Sequence, residues 1–162
     1  MDPASRVIEL ALRNVEEGGR PFACVIMRDG ELVAEGPNLV VQTHDPTAHA
    51  EMVAIRAACA KLKAETLSDC EIYALSHPCP MCLGALYHCS PARFVFFITP
   101  DDYAPYYRDN KKYFEVETFY AEYAKSWKDR RLPMEFRPRP DALGVYQRWQ
   151  ERNEPERSQR GS

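Results

Sequence analysis

The sequence predicts an α/β fold with helices on both faces of one sheet. Two observations carry this. Short β-type runs stand at 22–27, 31–36, 70–75 and 93–98, and helical stretches at 48–62 and 79–89 separate the later ones. In order, residues 5–17 place Val7, Ile8, Ala11, Leu12 and Val15 on one helical face, closed by Gly18-Gly19. FACVIM (22–27) and ELVAEG (31–36) flank Arg28-Asp29-Gly30, the signature of a hairpin with a tight turn. Residues 37–47 read as loop. Thr47 is the expected N-cap of a helix from Ala48 to Leu62, with Met52, Ile55, Cys59 and Leu62 along one side. CEIYAL (70–75) is a short strand, Cys79–Cys89 a helix and RFVFFI (93–98) a buried strand. Residues 99–127 hold nine of the chain's 18 aromatics, including Tyr103, Tyr106, Tyr107, Tyr113 and Phe114. That density suits a stacking lid over a flat ligand or an interface. Met134-Glu135-Phe136 is expected as a short edge strand, 143–154 as a terminal helix and 158–162 as a frayed polar tail. With no repeat and no internal linker, 1–157 is expected to be one domain.

The 162 residues suffice for a core without disulfide staples. Ordinary glycine content and 45% apolar residues exclude collagen, coiled coil and wholesale disorder. No apolar run approaches the ~20 residues of a membrane span, and the first twenty residues carry both signs of charge without a signal-peptide core. A cytoplasmic protein with no membrane partner is expected. The net charge of −3 advertises no nucleic-acid binding. Its distribution is uneven, because residues 125–162 hold 10 basic and 6 acidic residues, a net +4. Six cysteines without a secretion signal point to metal or catalysis before disulfides.

Two motifs carry chemistry: His49-Ala50-Glu51 and Pro78-Cys79-Pro80-Met81-Cys82. At this composition H-x-E is expected by chance about 0.4 times and P-C-x-x-C about 0.02 times, so the second is the informative one. Cys79 and Cys82, three apart at a helix start, project their sulfurs from one face, and Pro80 suits the first turn. His49 also begins a helix. Two converging helix N-termini keep both thiols ionised, and two sulfurs with an imidazole select zinc. Three protein ligands leave a fourth position for water, as in a catalytic site. Glu51, two residues beyond His49, is placed to carry a proton between that water and a substrate. The alternative is a structural zinc knuckle with His77 as fourth ligand.

H-x-E with P-C-x-x-C resembles the zinc deaminases of the cytidine deaminase superfamily. DPTAHAEMVAIRAAC (45–59), PCPMCLGALY (78–87), GRPFACVI (19–26) and Asn38 are similar to its guanine deaminase branch, as are LPM (132–134) and YQRWQ (146–150). The resemblance implies a three-layer α/β/α sandwich with a mixed five-stranded sheet, in a homodimer, with one Zn²⁺ per chain held by His49, Cys79 and Cys82. It implies hydrolytic deamination of a free aminated base, guanine or a close analogue first, with Glu51 protonating the ring nitrogen and then the leaving ammonia. By the same resemblance the Ala50 N–H holds the substrate, Asn38 pairs with the ring's amide edge and Phe22 meets the ring face. His77 and His88 fall at the pocket wall. Glu115 is the nearest match to an acidic substrate residue, with Glu117 and Asp109 behind it. Alternatives are a cytosine or amino-triazine deaminase, a tRNA adenosine deaminase, and a non-catalytic deaminase-fold zinc subunit.

Overall fold

The computed structural model describes residues 1–109, 111–113 and 115–157. Phe114 and the tail 158–162 lie outside the described residues, as does the side chain of Glu117. The Cα trace gathers into two compact units, 1–120 and 121–162.

In the first unit, helix α1 (Pro3–Glu16) starts where Asp2 accepts a hydrogen bond from the Ser5 N–H at 2.9 Å, with Pro3 in the first turn. It buries Val7, Leu10, Ala11 and Asn14, the i, i+3, i+4, i+7 set. Ile8, Leu12 and Val15, expected on the buried face, are exposed; the apolar band of this helix is wider than the strip that reaches the sheet. Strands β1 (Ala23–Arg28) and β2 (Glu31–Pro37) form the expected hairpin. Asp29 and Gly30, with φ of 52° and 79°, supply the left-handed pair that such a turn requires.

The loop expected at 37–47 contains one helical turn, α2 (Val40–Thr43). Helix α3 (Ala50–Leu62) is capped by His49 and not by Thr47. Thr47 is occupied instead by an Asx turn, its N–H and hydroxyl both donating to Asp45 Oδ1 at 2.8 and 2.7 Å. The fully buried side of α3 is Ala50, Ala54 and Ala58, small residues that let the helix lie close to β2. Strand β3 (Glu71–Ser76), helix α4 (Pro80–Cys89) and strand β4 (Arg93–Ile98) follow.

The sheet order is β2-β1-β3-β4, with β1 antiparallel to both neighbours and β3 parallel to β4. It is therefore mixed, and has four strands among the described residues where five were expected. Residues 134–136 form no strand; the prolines at 133, 138 and 140 remove ladder donors around them. Lacking an outer neighbour among the described residues, β4 is an edge, and Phe96 and Phe97 are exposed where a buried strand was expected. One face of β1 (Ala23, Val25, Met27) packs on α1. The other (Cys24, Ile26) packs with Ile72 on α3 and α4, completing three layers.

Short helices α5 (Pro100–Tyr103) and α6 (Val116–Ala124) follow β4. In the second unit, 3₁₀ turns at Trp127–Asp129 and Pro140–Ala142 precede α7 (Leu143–Arg157), the expected terminal helix. Glu122 organises this unit locally, accepting from the Arg131 N–H at 2.6 Å and from Lys125 Nζ at 3.4 Å.

Candidate metal and substrate site

Parallel strands leave their carboxyl ends facing one crevice, and the loops that follow them build it. Here β3 delivers Ser76, His77 and Cys79, while β4 leads into 99–109. The His77 N–H donates to the Ile98 carbonyl at 3.1 Å, which ties the two loops at their roots.

His49 and Cys79 are the N-cap residues of α3 and α4, both with extended backbone and neither using its side chain as a cap. Their side chains are therefore free to face each other. His49 Nδ1 lies 3.5 Å from Cys79 Sγ and 3.7 Å from Cys82 Sγ. Zn–S and Zn–N bonds of ordinary length at a tetrahedral angle put sulfur and nitrogen ~3.6 Å apart, so the three donors fit one zinc ion. Among the described residues no fourth His, Cys, Asp or Glu joins the group. His77, the candidate fourth ligand, instead sets its ring edge-on to Phe96, centroids 5.2 Å apart. On the protein's own groups the Cys79 thiol is pushed down to about 4, first by its hydrogen bond with the Cys82 thiol and then by that with His49. Cys82 moves up in exchange, so the pair behaves as a thiolate and the thiol that donates to it.

Glu51, in the first turn of α3, is buried beside this group. Burial pushes its pKa up, while its own N–H and the Cys82 thiol oppose the shift. The carboxyl is thereby made a stronger base than an exposed glutamate, which suits it to accept a proton and hand it on. The Ala50 N–H, at the first helical position, has no hydrogen-bond partner among the described residues.

His49, Glu51 and Cys79 open onto a cavity of about 360 Å³. It is also lined by Phe22, Asn38, Ser76 and His77, by Asp101, Tyr103, Ala104, Tyr107, Arg108 and Asp109 of the segment after β4, and by Glu115. Asn38 is buried. Its Oδ1 accepts from the Val40 N–H at 3.1 Å, the capping role such a residue often has, and its Nδ2 has no partner among the described residues. The backbone of Asn38 is fixed by Asn14, whose Nδ2 donates to its carbonyl at 2.8 Å. Phe22 meets Tyr107 and Tyr103 edge-to-face at 5.1 and 5.8 Å. Two rings of the aromatic segment thus line the cavity, while Tyr106 is exposed. Tyr107 is pushed up to about 12, by burial first and by Asp109 next, and its hydroxyl donates to Asp109 at 3.1 Å.

Of the expected site residues, His49, Glu51, Cys79, Asn38, Phe22, His77 and Glu115 line the cavity, with Cys82 buried in the ligand group behind it. Ala50, buried at the start of α3, does not line it, and neither does His88. It sits exposed near the far end of α4, more than two turns from Cys79. Ser76, Tyr103, Tyr107 and Asp101 were not singled out individually. Ser76 had a legible signal, its place at the end of a strand just before the Cys79 motif.

The description "cytidine and deoxycytidylate deaminase zinc-binding region" fits residues 3–98. Guanine deaminase from Bacillus subtilis is 40% identical over 145 residues, 89% of each chain. Its X-ray structure superposes with a TM-score of 0.83 over 93% of this chain and 95% of that one, at 37% identity. A structure described as guanine deaminase from Nitrosomonas europaea gives a TM-score of 0.61 at 30% identity, covering 72% of this chain and 70% of its own. A tRNA-specific adenosine deaminase from Aquifex aeolicus is 43% identical over 76 residues, 47% of this chain and 50% of that protein.

Proposed function

The chain belongs to the zinc-dependent deaminase family defined by that zinc-binding region, and on this premise we propose that it hydrolyses guanine, or a close analogue, to xanthine and ammonia. The observation that carries the reading is a three-donor zinc group at tetrahedral spacing beside a buried carboxyl, opening on an aromatic cavity.

His49, Cys79 and Cys82 would hold the zinc, which when bound polarises a water so that it becomes a nucleophile near neutral pH. Glu51 would accept a proton as the water oxygen bonds to the amino-bearing carbon, and would deliver it to the adjacent ring N3, so that the carbon–amino bond can then break. A second transfer through the same carboxyl goes to the departing amino group, which leaves as ammonia. The Ala50 N–H and Asn38 Nδ2 donate to acceptors on the ring. Phe22, Tyr103 and Tyr107 enclose its faces, and Glu115 and Asp109 offer acceptors to its N–H groups.

The cavity also bears on the class of substrate. Its lining carries Asp101, Glu115 and Asp109, the last paired with Arg20, against Arg108. A neutral base meets no penalty at such a lining, whereas a polynucleotide's phosphates are repelled. The same proposal takes 1–157 as one deaminase domain, since the similarity to the Bacillus subtilis structure runs through both units. It takes the working form as a homodimer, for which exposed Phe96, Phe97 and Tyr87 supply apolar surface. Among the described residues no helix is long and apolar enough to cross a membrane. A cytoplasmic setting suits six cysteines that are all unpaired.

The test is ammonia release by the zinc-loaded protein from guanine, guanosine, cytosine, adenine, ammeline and a tRNA anticodon stem, with Glu51→Gln as control. Turnover of guanine, lowered by roughly 10²–10⁴ or more in the control with zinc retained, supports the reading. Activity on the stem alone replaces guanine by tRNA, and wild-type turnover in the control removes Glu51 from the mechanism.

A further inference from the structure

Residues of the segment 100–109 line the cavity, yet they are weakly moored. They follow the edge strand β4. The hydrogen bonds they make among the described residues are almost all internal: a capping box between Thr99 and Asp102, N–H bonds of Ala104 to Pro100 and of Tyr106 and Tyr107 to Tyr103, and the Tyr107 hydroxyl on Asp109. One polar link from this segment to the body of the unit stands apart from these. Arg20 Nη1 donates to Asp109 Oδ1 at 3.1 Å, both side chains four-fifths buried.

The body side of that link is rigid. The Arg20 carbonyl accepts from Asn14 Nδ2 at 2.7 Å and from the Phe22 N–H at 2.8 Å. Asn14 is itself buried, and also accepts from Gln42 Nε2 at 2.8 Å while holding the Asn38 carbonyl. Gly19 permits this bend, because a Cβ there would stand 2.5 Å from Asn14 Oδ1. Arg20 is thus a fixed post two residues before Phe22, and Asp109 is the far end of the strap that carries Tyr103 and Tyr107 onto that ring. Arg20 itself does not line the cavity.

We propose that Arg20 is a positioning residue: its ion pair with Asp109 latches the 100–109 strap, holding Tyr103 and Tyr107 against Phe22 and closing the base-binding slot. The same guanidinium balances the Asp109 charge, which would otherwise add to an acidic lining. This rests on the proposed base-deaminase reading for its kinetic consequence, but the latch itself has a readout that needs no substrate.

The variants are Arg20→Gln, which keeps a donor but removes the charge, and Arg20→Lys, which restores the charge. Hydrogen exchange of the zinc-loaded protein reads the latch directly: in Arg20→Gln the amides of Ala104, Tyr106 and Tyr107 exchange about tenfold faster. Exchange in the β1–β3 ladder is unchanged, and Arg20→Lys moves back toward wild type. With guanine, Arg20→Gln raises KM about tenfold, equivalent to ~1.4 kcal/mol, leaves kcat within about twofold, and is partly rescued by Arg20→Lys. Unchanged exchange at 100–109, or exchange raised throughout the unit, overturns the latch. Faster exchange with unchanged KM, or a loss confined to kcat, overturns the positioning role. A wild-type protein that deaminates no base refutes the proposed function and leaves the exchange result to judge the latch by itself.

Discussion

At Gly36 strand β2 approaches α3 so closely that no side chain fits between them, and Gly36→Ala is a direct test of how the site is held. A Cβ built there lies 2.7 Å from Val53 Cγ1, 2.9 Å from Val53 Cβ and 3.0 Å from the Ala54 nitrogen. Ordinary carbon–carbon contact is about 3.5–4.0 Å, so β2 and α3 must separate by roughly 0.5–1 Å. Neither neighbour yields easily, since valine is stiff at χ1 and the third atom is backbone. Overpacking of this kind costs ~1–3 kcal/mol. The alanine recovers ~0.4–1 kcal/mol of that by restricting the unfolded chain. A net loss of ~1–2 kcal/mol corresponds to a fall in Tm of about 2–8 °C for a chain of this size. The displaced segment begins at His49 and includes Glu51, and a misplacement of ~1 Å can cost ~10²-fold in rate. We therefore expect kcat/KM for guanine to fall at least about tenfold. Thermal unfolding and ammonia release on the same zinc-loaded preparation measure both quantities. A Gly36→Ala protein with wild-type Tm and wild-type kcat/KM would refute the idea that close approach of β2 positions α3.

Cys79→Ala and Cys82→Ala are each expected to lose stoichiometric zinc by metal analysis, and full retention in both would remove them as ligands. Of the two, Cys82→Ala should destabilise more in urea, because Cys82 is fully buried and Cys79 is not. Lys63, just past the end of α3, has φ of 52°. Lys63→Gly should raise stability by up to ~1 kcal/mol in urea unfolding by relieving that left-handed conformation, and a loss instead would show that the lysine side chain contributes more than its backbone costs.

Apart from the single turn α2, the strands and helices of 22–98 were legible because each has a period and a boundary. The hairpin announced itself through Asp29-Gly30, and α4 through Pro80 at its first position. The zinc group was legible for a different reason, since its chemistry restricts both residue type and spacing. What the pattern could not rank were competing claims on one residue or one face. Thr47 makes a good cap, but Asp45 engages it first. Ile8, Leu12 and Val15 are as apolar as Val7 and Leu10, and only the width of the sheet decides which set is buried. RFVFFI has the composition of a central strand, and its exposure depends on whether a neighbour exists. The aromatic segment carried no period at all, so Tyr103 and Tyr107 could not be told from Tyr106. Asn38 shows that two readings of one residue need not compete, because capping uses its oxygen and the cavity is offered its nitrogen.

The ligand group also joins distant parts of the chain. Cys79 and Cys82 are neighbours along the chain and are available as a pair as soon as that stretch exists. His49 is separated from them by 30 residues, with all of α3 and β3 between. Its ring stands within reach of the sulfurs in the arrangement where the alanine face of α3 lies on β2 and β3 is paired with β1. An unfolded chain therefore presents two ordinary thiols, which hold a soft cation only weakly. The nitrogen at tetrahedral reach exists only in the folded chain. Metal affinity is thereby coupled to folding, because the full three-donor set exists only where the sheet and α3 are in place.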